Sequence, residues 1–262
     1  MSTRGFTLIE LLVCVAIIAV LISLLLPGLG AAAAEGRAAK CASNLRQLGY
    51  AFHMYACDYL GRSMPLAYTA TSPGSGPDVY WWGTNGEHGV DHTRGFVWLY
   101  LQSDLRCNGV YECPDQPWGT YLPQGAARQV TSTYGYNGYF LCPPHTPGWA
   151  FTIGRRPWQN LDTLYQPQRV FVFGDTAIDL GGTLPYNNAL LDPPYLFNGR
   201  RWVLNPCPTT CFRHRDRAAL VLADGHAERF RPGPVRPPAP RFGVGSVGEH
   251  NDPYYVPNWR EW

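Results

Sequence analysis

The residues in this sequence with the clearest capacity for covalent or metal chemistry are its eight cysteines. Two pairs lie close together in loop-like sequence: Cys107 with Cys113, and Cys207 with Cys211. Such spacing suits local disulfides in an oxidising compartment outside the cytoplasm. The alternative is a zinc site built from these four thiolates, but neither pair has the C-x2-C spacing of a zinc knuckle. The spacing therefore favours disulfides over zinc, and it leaves metal binding unknown.

Acidic and imidazole side chains in the last third of the chain form a second set of candidates. His214 and His226 are of a type used in acid–base catalysis. Four aspartates could offer oxygen ligands to calcium: Asp175, Asp179, Asp192 and Asp224. No Gly-x-Ser-x-Gly, His-Glu-x2-His or phosphate-binding glycine loop accompanies them. We therefore expect no enzymatic activity and no cofactor other than calcium, which stays an open alternative.

One further carboxylate is notable for its position. Glu10 is the only charged residue between Phe6 and Ala34, a stretch long enough for a membrane-spanning helix of about 20 residues. A carboxylate in a bilayer costs about 2.5–3.5 kcal/mol on insertion scales, so Glu10 needs a reason to be there. A basic leader ending in glycine, residues 1–5, precedes this stretch, whereas a secretory signal is cleaved after its apolar core.

The order Gly5, Phe6, then Thr-Leu-x-Glu10 resembles the class III signal of type IV pilins and type II secretion pseudopilins. The resemblance implies that an inner-membrane prepilin peptidase cuts after Gly5 and methylates the new amine of Phe6. It also implies that Glu10 pairs with the N-terminal amine of a neighbouring subunit, and that Pro27 kinks the helix. The alternative is an ordinary signal anchor with a chance glutamate.

A second pattern extends the resemblance towards the C-terminus. His214 is separated by nine residues from Asp224-Gly225, and this spacing, with the N-terminus above, resembles the H-X9-DG group of pseudopilin-like proteins. Cys41-x2-Asn44 with the Leu45–Gly49 run also matches in the helix, and looser similarities lie between the two regions, at Cys113-Pro114-Asp115 and Tyr136-Asn137. The resemblance is firm over residues 4–49 and 214–225. For Asp224-Gly225 and His214 we expect structural roles, since Asp-Gly is typical of a tight turn and histidines usually form local hydrogen bonds.

The elements that must position these residues follow from hydrophobic patterning. Beyond Pro27, apolar residues recur three and four positions apart, which predicts an amphipathic helix ended by Gly61 and Pro65. Asn44 lies off its apolar face, which is formed by Cys41, Leu45, Leu48, Phe52, Tyr55 and Tyr59. We expect one long helix, its first half in the membrane and its second half packed on an antiparallel sheet.

The rest of the chain is predicted to form an α+β head with long loops. The whole chain contains 28 Gly and 24 Pro, and such a content favours turns and short strands. Residues 170–173 predict a buried strand, and Asp224-Gly225 predicts a hairpin with a type I′ turn. Residues 231–240 are too proline-rich for helix or central strand, so we expect an extended tail.

The predicted organisation is a prepilin leader at 1–5, a transmembrane pilin helix at 6–60, a periplasmic head at 61–230 and a Pro-rich tail at 231–262. Lys and Arg number 21 against 19 Asp and Glu, a balance that gives no reason to expect nucleic acid as a partner. The resemblance implies a structural subunit in the bacterial inner membrane, single-pass, with a cytoplasmic N-terminus. Its implied partners are prepilin peptidase, other pilin or pseudopilin subunits, and membrane lipid.

Within the resemblance, the fibre would be a pseudopilus or pilus serving type II protein secretion or a related system. Two functions of other classes stay open as alternatives to such a fibre. A membrane-tethered module that binds a sugar or a protein through its aromatic loops is the first alternative. A tethered hydrolase is the second, and it would need His214 or His226 beside a carboxylate in an open pocket.

Overall fold

The structure is a computed structural model that describes residues 7–68, 79–86, 89–103, 109–123, 131–142, 158–234 and 241–261. The chain divides into two compact units, Met1–Arg37 and Ala38–Trp262. The predicted α+β class is confirmed: a long apolar N-terminal helix is followed by antiparallel sheets.

One helix, α1 (Leu8–Asp58), dominates the N-terminal part. Every large apolar side chain from Leu8 to Leu29 is exposed. Among the described residues, α1 is the one helix long and apolar enough to cross a membrane, which fits anchoring near the N-terminus. The helix is continuous through Pro27, and the predicted kink at this residue stays a prediction. A proline removes one backbone donor, and the flanking turns can keep the helical path.

The C-terminal part of α1 carries the buried face of the helix. The predicted residues Cys41, Leu45, Leu48, Phe52 and Tyr55 are buried, as expected. The prediction is wrong for Tyr59, because this residue lies beyond the helix end and is half exposed. Its ring stacks on that of Tyr55, with ring centroids 4.2 Å apart. Gly61 closes the helix with a φ of +78°, and its N–H donates to the Ala56 carbonyl at 2.8 Å, a typical C-terminal cap.

The described part of the second unit contains short strands and short helices. The strands are β1 (Ala67–Tyr68), β2 (Val79–Tyr80), β3 (Gly83–Gly86), β4 (Gly89–Asp91), β5 (Tyr134–Tyr136), β6 (Phe171–Asp175), β7 (Tyr195–Phe197), β8 (Trp202–Leu204), β9 (Thr210–Cys211), β10 (Ala218–Leu222), β11 (Ala227–Phe230) and β12 (Val244–Gly245). The helices are α2 (Trp98–Leu101) and α3 (Gly138–Leu141), with 3-10 turns at His92–Arg94, Leu161–Thr163, Pro167–Arg169 and Trp259–Glu261.

The central sheet has the order β11-β10-β6-β5, and all its pairs are antiparallel. Every residue of β6 and β10 is buried, in agreement with the predicted buried strand at 170–173. The helix packs closely on this sheet: a Cβ at Gly49 would lie 2.9 Å from Cγ2 of Val221. Phe52 of α1 also contacts the sheet, with ring centroids 5.9 Å from Tyr136 and 6.5 Å from Phe173. The expected packing of the helix on an antiparallel sheet is therefore present.

The predicted hairpin is formed by β10 and β11, with Val221 opposite Ala227 at its closed end. Its turn differs from the predicted type I′ geometry. Only Gly225 has positive φ, at 93°, while Asp224 does not, and the Gly225 N–H donates to the Leu222 carbonyl at 2.9 Å. This is a type I turn followed by a left-handed glycine, the usual three-residue loop.

The C-terminal segment is folded wherever the structure describes it. β12 pairs with β9, and Tyr255 and Val256 are fully buried. The Tyr255 hydroxyl accepts from the Val247 N–H at 2.9 Å and lies 2.7 Å from the Thr210 hydroxyl. Residues 241–261 of the predicted Pro-rich tail therefore pack on the rest of the second unit, because their aromatic side chains supply core surface that the short strands lack, whereas residues 235–240 lie outside the described residues.

Candidate functional site

The first candidate site is the start of α1, where Thr7 and Glu10 cap each other. The Glu10 carboxylate accepts hydrogen bonds from the Thr7 N–H at 2.9 Å and from the Thr7 hydroxyl at 2.8 Å. In return, the Glu10 N–H donates to the Thr7 hydroxyl at 3.3 Å. Thr-x-x-Glu is the capping-box pattern of a helix N-terminus. Glu10 therefore has a local structural role in addition to any contact with another subunit.

The predicted processing residues, Gly5 and Phe6, lie outside the described residues. Pro27 is exposed within α1.

The second candidate site is a buried polar cluster inside the second unit. Its four side chains come from separate parts of the fold and are all buried: Cys41 of α1, Cys113 of the segment before β5, Asp175 at the end of β6, and His214 between β9 and β10. One sulfur, nitrogen or oxygen atom from each lies within 4.8 Å of the other three. Burial of so many ionisable groups is costly unless they bind one another or a ligand.

Polar contacts link the four side chains in series, from Cys41 through Asp175 and His214 to Cys113. The Cys41 thiol donates to Asp175, with Sγ 3.3 Å from Oδ1. Nε2 of His214 lies 3.3 Å from Sγ of Cys113 and 3.2 Å from Oδ2 of Asp175. The side chains of His214 and Asp175 are 1% and 0% exposed, so solvent does not reach these contacts.

A second layer of polar groups orients the cluster. Nδ1 of His214 donates to Oδ2 of Asp115 at 2.6 Å, so Nε2 is the nitrogen that points into the cluster. Asp175 accepts from the Ala219 N–H at 2.8 Å. The guanidinium of Arg213 lies 3.6 Å from Oδ1 of Asp175 and donates to the Thr176 carbonyl at 2.6 Å. His214 and Asp175 are thus held by partners outside the cluster.

Electrostatics in the cluster favour the anionic forms of Asp175 and Cys113 and the neutral form of Cys41. Burial by itself would raise the pKa of Asp175, but Arg213 and His214 hold it below its usual value. Burial opposes ionisation of Cys113 as well, yet the hydrogen bond with Cys41, the charge of Arg213 and the contact with His214 lower its pKa to about 7. For His214, burial disfavours the charged form, and hydrogen bonds with Asp175 and Cys113 raise its pKa to about 10. Burial raises the pKa of Cys41.

Asn44 supports the cluster from α1, one turn after Cys41. The helical pattern predicts that Asn44 lies off the buried face, but Asn44 is fully buried. Its amide donates to the carbonyls of Gly109 and Glu112, at 3.3 and 3.1 Å. These bonds hold the segment that carries Cys113 against the helix. The spacing Cys41-x2-Asn44 therefore has a physical basis.

The other predicted site residues do not join this cluster. Asp224, Gly225 and His226 form the exposed hairpin turn, where Oδ1 of Asp224 lies 2.6 Å from Nδ1 of His226. Asp179 lies 3.9 Å from Arg241, and burial raises the pKa of Asp192 to about 7. Of the four aspartates considered for calcium, only Asp175 belongs to a group of metal-ligand side chains among the described residues.

The predicted disulfides need correction. Cys207 and Cys211 are free thiols, because Cys211 points into a small core with Val244 and donates to the Phe242 carbonyl at 3.4 Å. Cys113 is also a free thiol, since its sulfur belongs to the buried cluster. Its predicted partner Cys107 lies outside the described residues.

Aromatic residues considered for ligand binding mostly fill the core. Trp81 and Trp82 are buried, and Tyr80 stacks on Trp82 with ring centroids 5.3 Å apart. Tyr134 and Tyr136 are fully buried. These side chains therefore do not form an exposed stacking surface.

Comparison with known proteins locates a recognisable signal at the N-terminus. Residues 1–26 match the family described as the prokaryotic N-terminal methylation motif. The match covers the N-terminal signal alone, and this signal is of the prepilin type. No curated protein and no solved structure matches the chain significantly.

Proposed function

We propose that this protein is a pseudopilin-like structural subunit, assembled through α1 into a fibre that serves type II protein secretion or a related system. The observation that carries the proposal is the N-terminal half of α1, which exposes a continuous apolar surface with a single carboxylate, Glu10. This arrangement lies within the segment that matches the methylation motif. An exposed apolar helix of this length requires lipid or other helices around it.

The proposed mechanism has two steps. A prepilin peptidase cleaves between Gly5 and Phe6 and methylates the new amine, while α1 holds the protein in the inner membrane. The fibre then forms as Glu10 pairs with the N-terminal amine of a neighbouring subunit, which neutralises two charges in an apolar bundle. The second unit lies on the periplasmic side and supplies lateral contacts. The His214, Asp224 and Gly225 pattern supports assignment to the H-X9-DG group.

Processing is tested by the N-terminal sequence and intact mass of the protein recovered from membranes of a host with a prepilin peptidase. We expect methylated Phe6 at the N-terminus of the wild type and an intact leader in Gly5→Leu. Gly30→Leu is the matched control, because a Cβ at Gly30 meets no atom within 4 Å, and it should be processed normally. Retention of Met1 in the wild type, or cleavage after the apolar stretch, would contradict the proposal and favour a plain anchor or a tethered binding module.

The two roles of Glu10 can be separated by Glu10→Gln. A glutamine can still accept the Thr7 N–H in a capping box, but it carries no charge to pair with an amine. We expect normal cleavage and methylation with loss of cross-linked species larger than a dimer. The measurement is in-membrane cross-linking followed by immunoblotting, with Thr7→Val as a control that weakens the cap and keeps the carboxylate. If Glu10→Gln assembles like the wild type, the cap is the only role of this residue.

A further inference from the structure

We propose that Cys41, Cys113, Asp175 and His214 form a structural zinc site. Nothing in the N-terminal motif assigns a role to these residues, and the proposal is independent of fibre assembly. The four ligand atoms, two thiolate sulfurs, an imidazole nitrogen and a carboxylate oxygen, are of the types that zinc accepts in proteins. All four come from the protein and all are buried, which is typical of a closed structural site rather than a catalytic one.

The geometry fits a tetrahedral ion. Zinc bonds of about 2.3 Å to sulfur and about 2.0 Å to nitrogen or oxygen place neighbouring ligand atoms about 3.3–3.8 Å apart. Oδ2 of Asp175 lies 3.6 Å from Sγ of Cys41 and 3.2 Å from Nε2 of His214, and Nε2 lies 3.3 Å from Sγ of Cys113. Three pairs of ligand atoms are therefore already close to the spacing that a tetrahedral ion requires, and all four atoms lie within 4.8 Å of one another.

The outer groups match those that orient zinc ligands. A zinc-bound histidine commonly donates its second N–H to a carboxylate, which fixes its tautomer. Here Asp115 accepts from Nδ1 of His214 at 2.6 Å and leaves Nε2 for the ion. Asp115 is 14% exposed, so its own charge is partly solvated.

Charge balance also supports a divalent ion. Two thiolates and the Asp175 carboxylate carry three negative charges, which a divalent ion and the Arg213 guanidinium together neutralise. Within the described part of the chain, Nε and Nη1 of Arg213 have no hydrogen-bond acceptor. A buried guanidinium that uses only part of its donor capacity is costly, and thiolates bound to zinc would add anions to the Asp175 carboxylate that already lies 3.6 Å from it.

The site would connect four segments that are distant in sequence. Cys41 belongs to α1 and Asp175 to β6, 134 residues later, while Cys113 and His214 are 101 residues apart. Because these four ligands come together only in the folded chain, the free energy of metal binding contributes directly to folding. The expected function of the ion is therefore to fix the helix to the head.

The test uses the full-length protein, purified in detergent without chelator from cells supplied with zinc. We expect about one zinc per chain by mass spectrometry of the metal, as for a structural site. After exchange for cobalt, intense thiolate charge-transfer bands and the strong visible bands of four-coordinate cobalt should appear. His214→Ala and Cys113→Ala should lose the metal, whereas Cys211→Ser, which changes a buried thiol outside the four ligands, should keep it.

Two measurements on the wild-type protein test the zinc site even if these variants fail to fold. Removal of zinc should lower its melting temperature by more than about 5 °C, and zinc should protect two thiols from alkylation until the protein is unfolded with chelator. Two results would overturn the proposal. One is less than about a tenth of a zinc per chain with only weak six-coordinate cobalt bands. The other is a Cys41–Cys113 disulfide, seen as two thiols that stay unlabelled after unfolding and chelation.

Discussion

Arg213→Met should lower the free energy of unfolding of the protein by about 3–5 kcal/mol, the usual effect of removing one partner of a buried ion pair. The Arg213 side chain is 7% exposed and lies 3.6 Å from the fully buried Asp175. Methionine fills much of the same volume but leaves the Asp175 carboxylate with one cation fewer. It also removes the donor to the Thr176 carbonyl. Both losses act in a region that water does not reach, so neither is compensated by solvent.

Arg241→Met is a matched control for this prediction. Arg241 also donates to a backbone carbonyl, that of Gly182, at 2.7 Å, and it lies 3.9 Å from an aspartate, Asp179. Its side chain is 46% exposed, so the pair should contribute less than about 1 kcal/mol. The measurement is urea unfolding of the full-length protein in detergent, followed by tryptophan fluorescence with chelator present. Equal losses in the two variants would show that burial does not set the contribution of Arg213.

Features that depend on neighbouring residues were predictable from the sequence. The apolar stretch after Phe6 and the spacing of Leu45, Leu48 and Phe52 define α1 because a helix repeats every 3.6 residues. Asp224-Gly225 defines a hairpin for a similar local reason. The turn type was not predicted correctly, because it depends on the loop length that the pairing of β10 with β11 selects.

The buried cluster was not predictable in the same way. Cys41 fits the apolar face of α1, and a free cysteine behaves there as a small hydrophobic residue. Its proximity to Asp175 and His214 depends on how the sheet packs against the helix, which no local pattern contains. A signal was present in the fragments: Cys41-x2-Asn44, Cys113-Pro114-Asp115 and His214 each contain a metal-ligand side chain. Proximity in sequence instead favoured the Cys207–Cys211 disulfide, which the structure does not contain.

Asn44 and Asn137 show why buried amides are also difficult to predict. Each is a polar residue in a segment whose pattern gives it no buried role, and each is fully buried. An amide can donate two hydrogen bonds to backbone carbonyls that irregular segments leave unpaired. A head with short strands has many such carbonyls, so its side-chain amides replace part of the missing backbone pairing.

Asn137→Asp should have the second large effect on stability, a loss of about 2–6 kcal/mol at neutral pH, since each unsatisfied buried group costs about 1–3 kcal/mol. The Asn137 amide donates to the carbonyls of Phe171 and Tyr255, both at 2.9 Å. It thus joins β6 to the C-terminal segment. A carboxylate has the same shape but no donor, and it places a charge beside two carbonyl oxygens.

The sign of the pH dependence distinguishes this mechanism from a packing defect. Burial beside two acceptors raises the pKa of the introduced carboxyl in the folded state above its unfolded value. Its contribution is therefore least unfavourable below the unfolded pKa and worsens as pH rises through the folded pKa. The measurement is urea unfolding at several pH values, with Asn160→Asp as the control, because the amide of Asn160 donates to the Leu60 carbonyl in an exposed setting. Water can replace that donor, so the control should lose less than about 1 kcal/mol. A loss in Asn137→Asp that did not change with pH would mean that hydrogen bonding by Asn137 is not what joins the two segments.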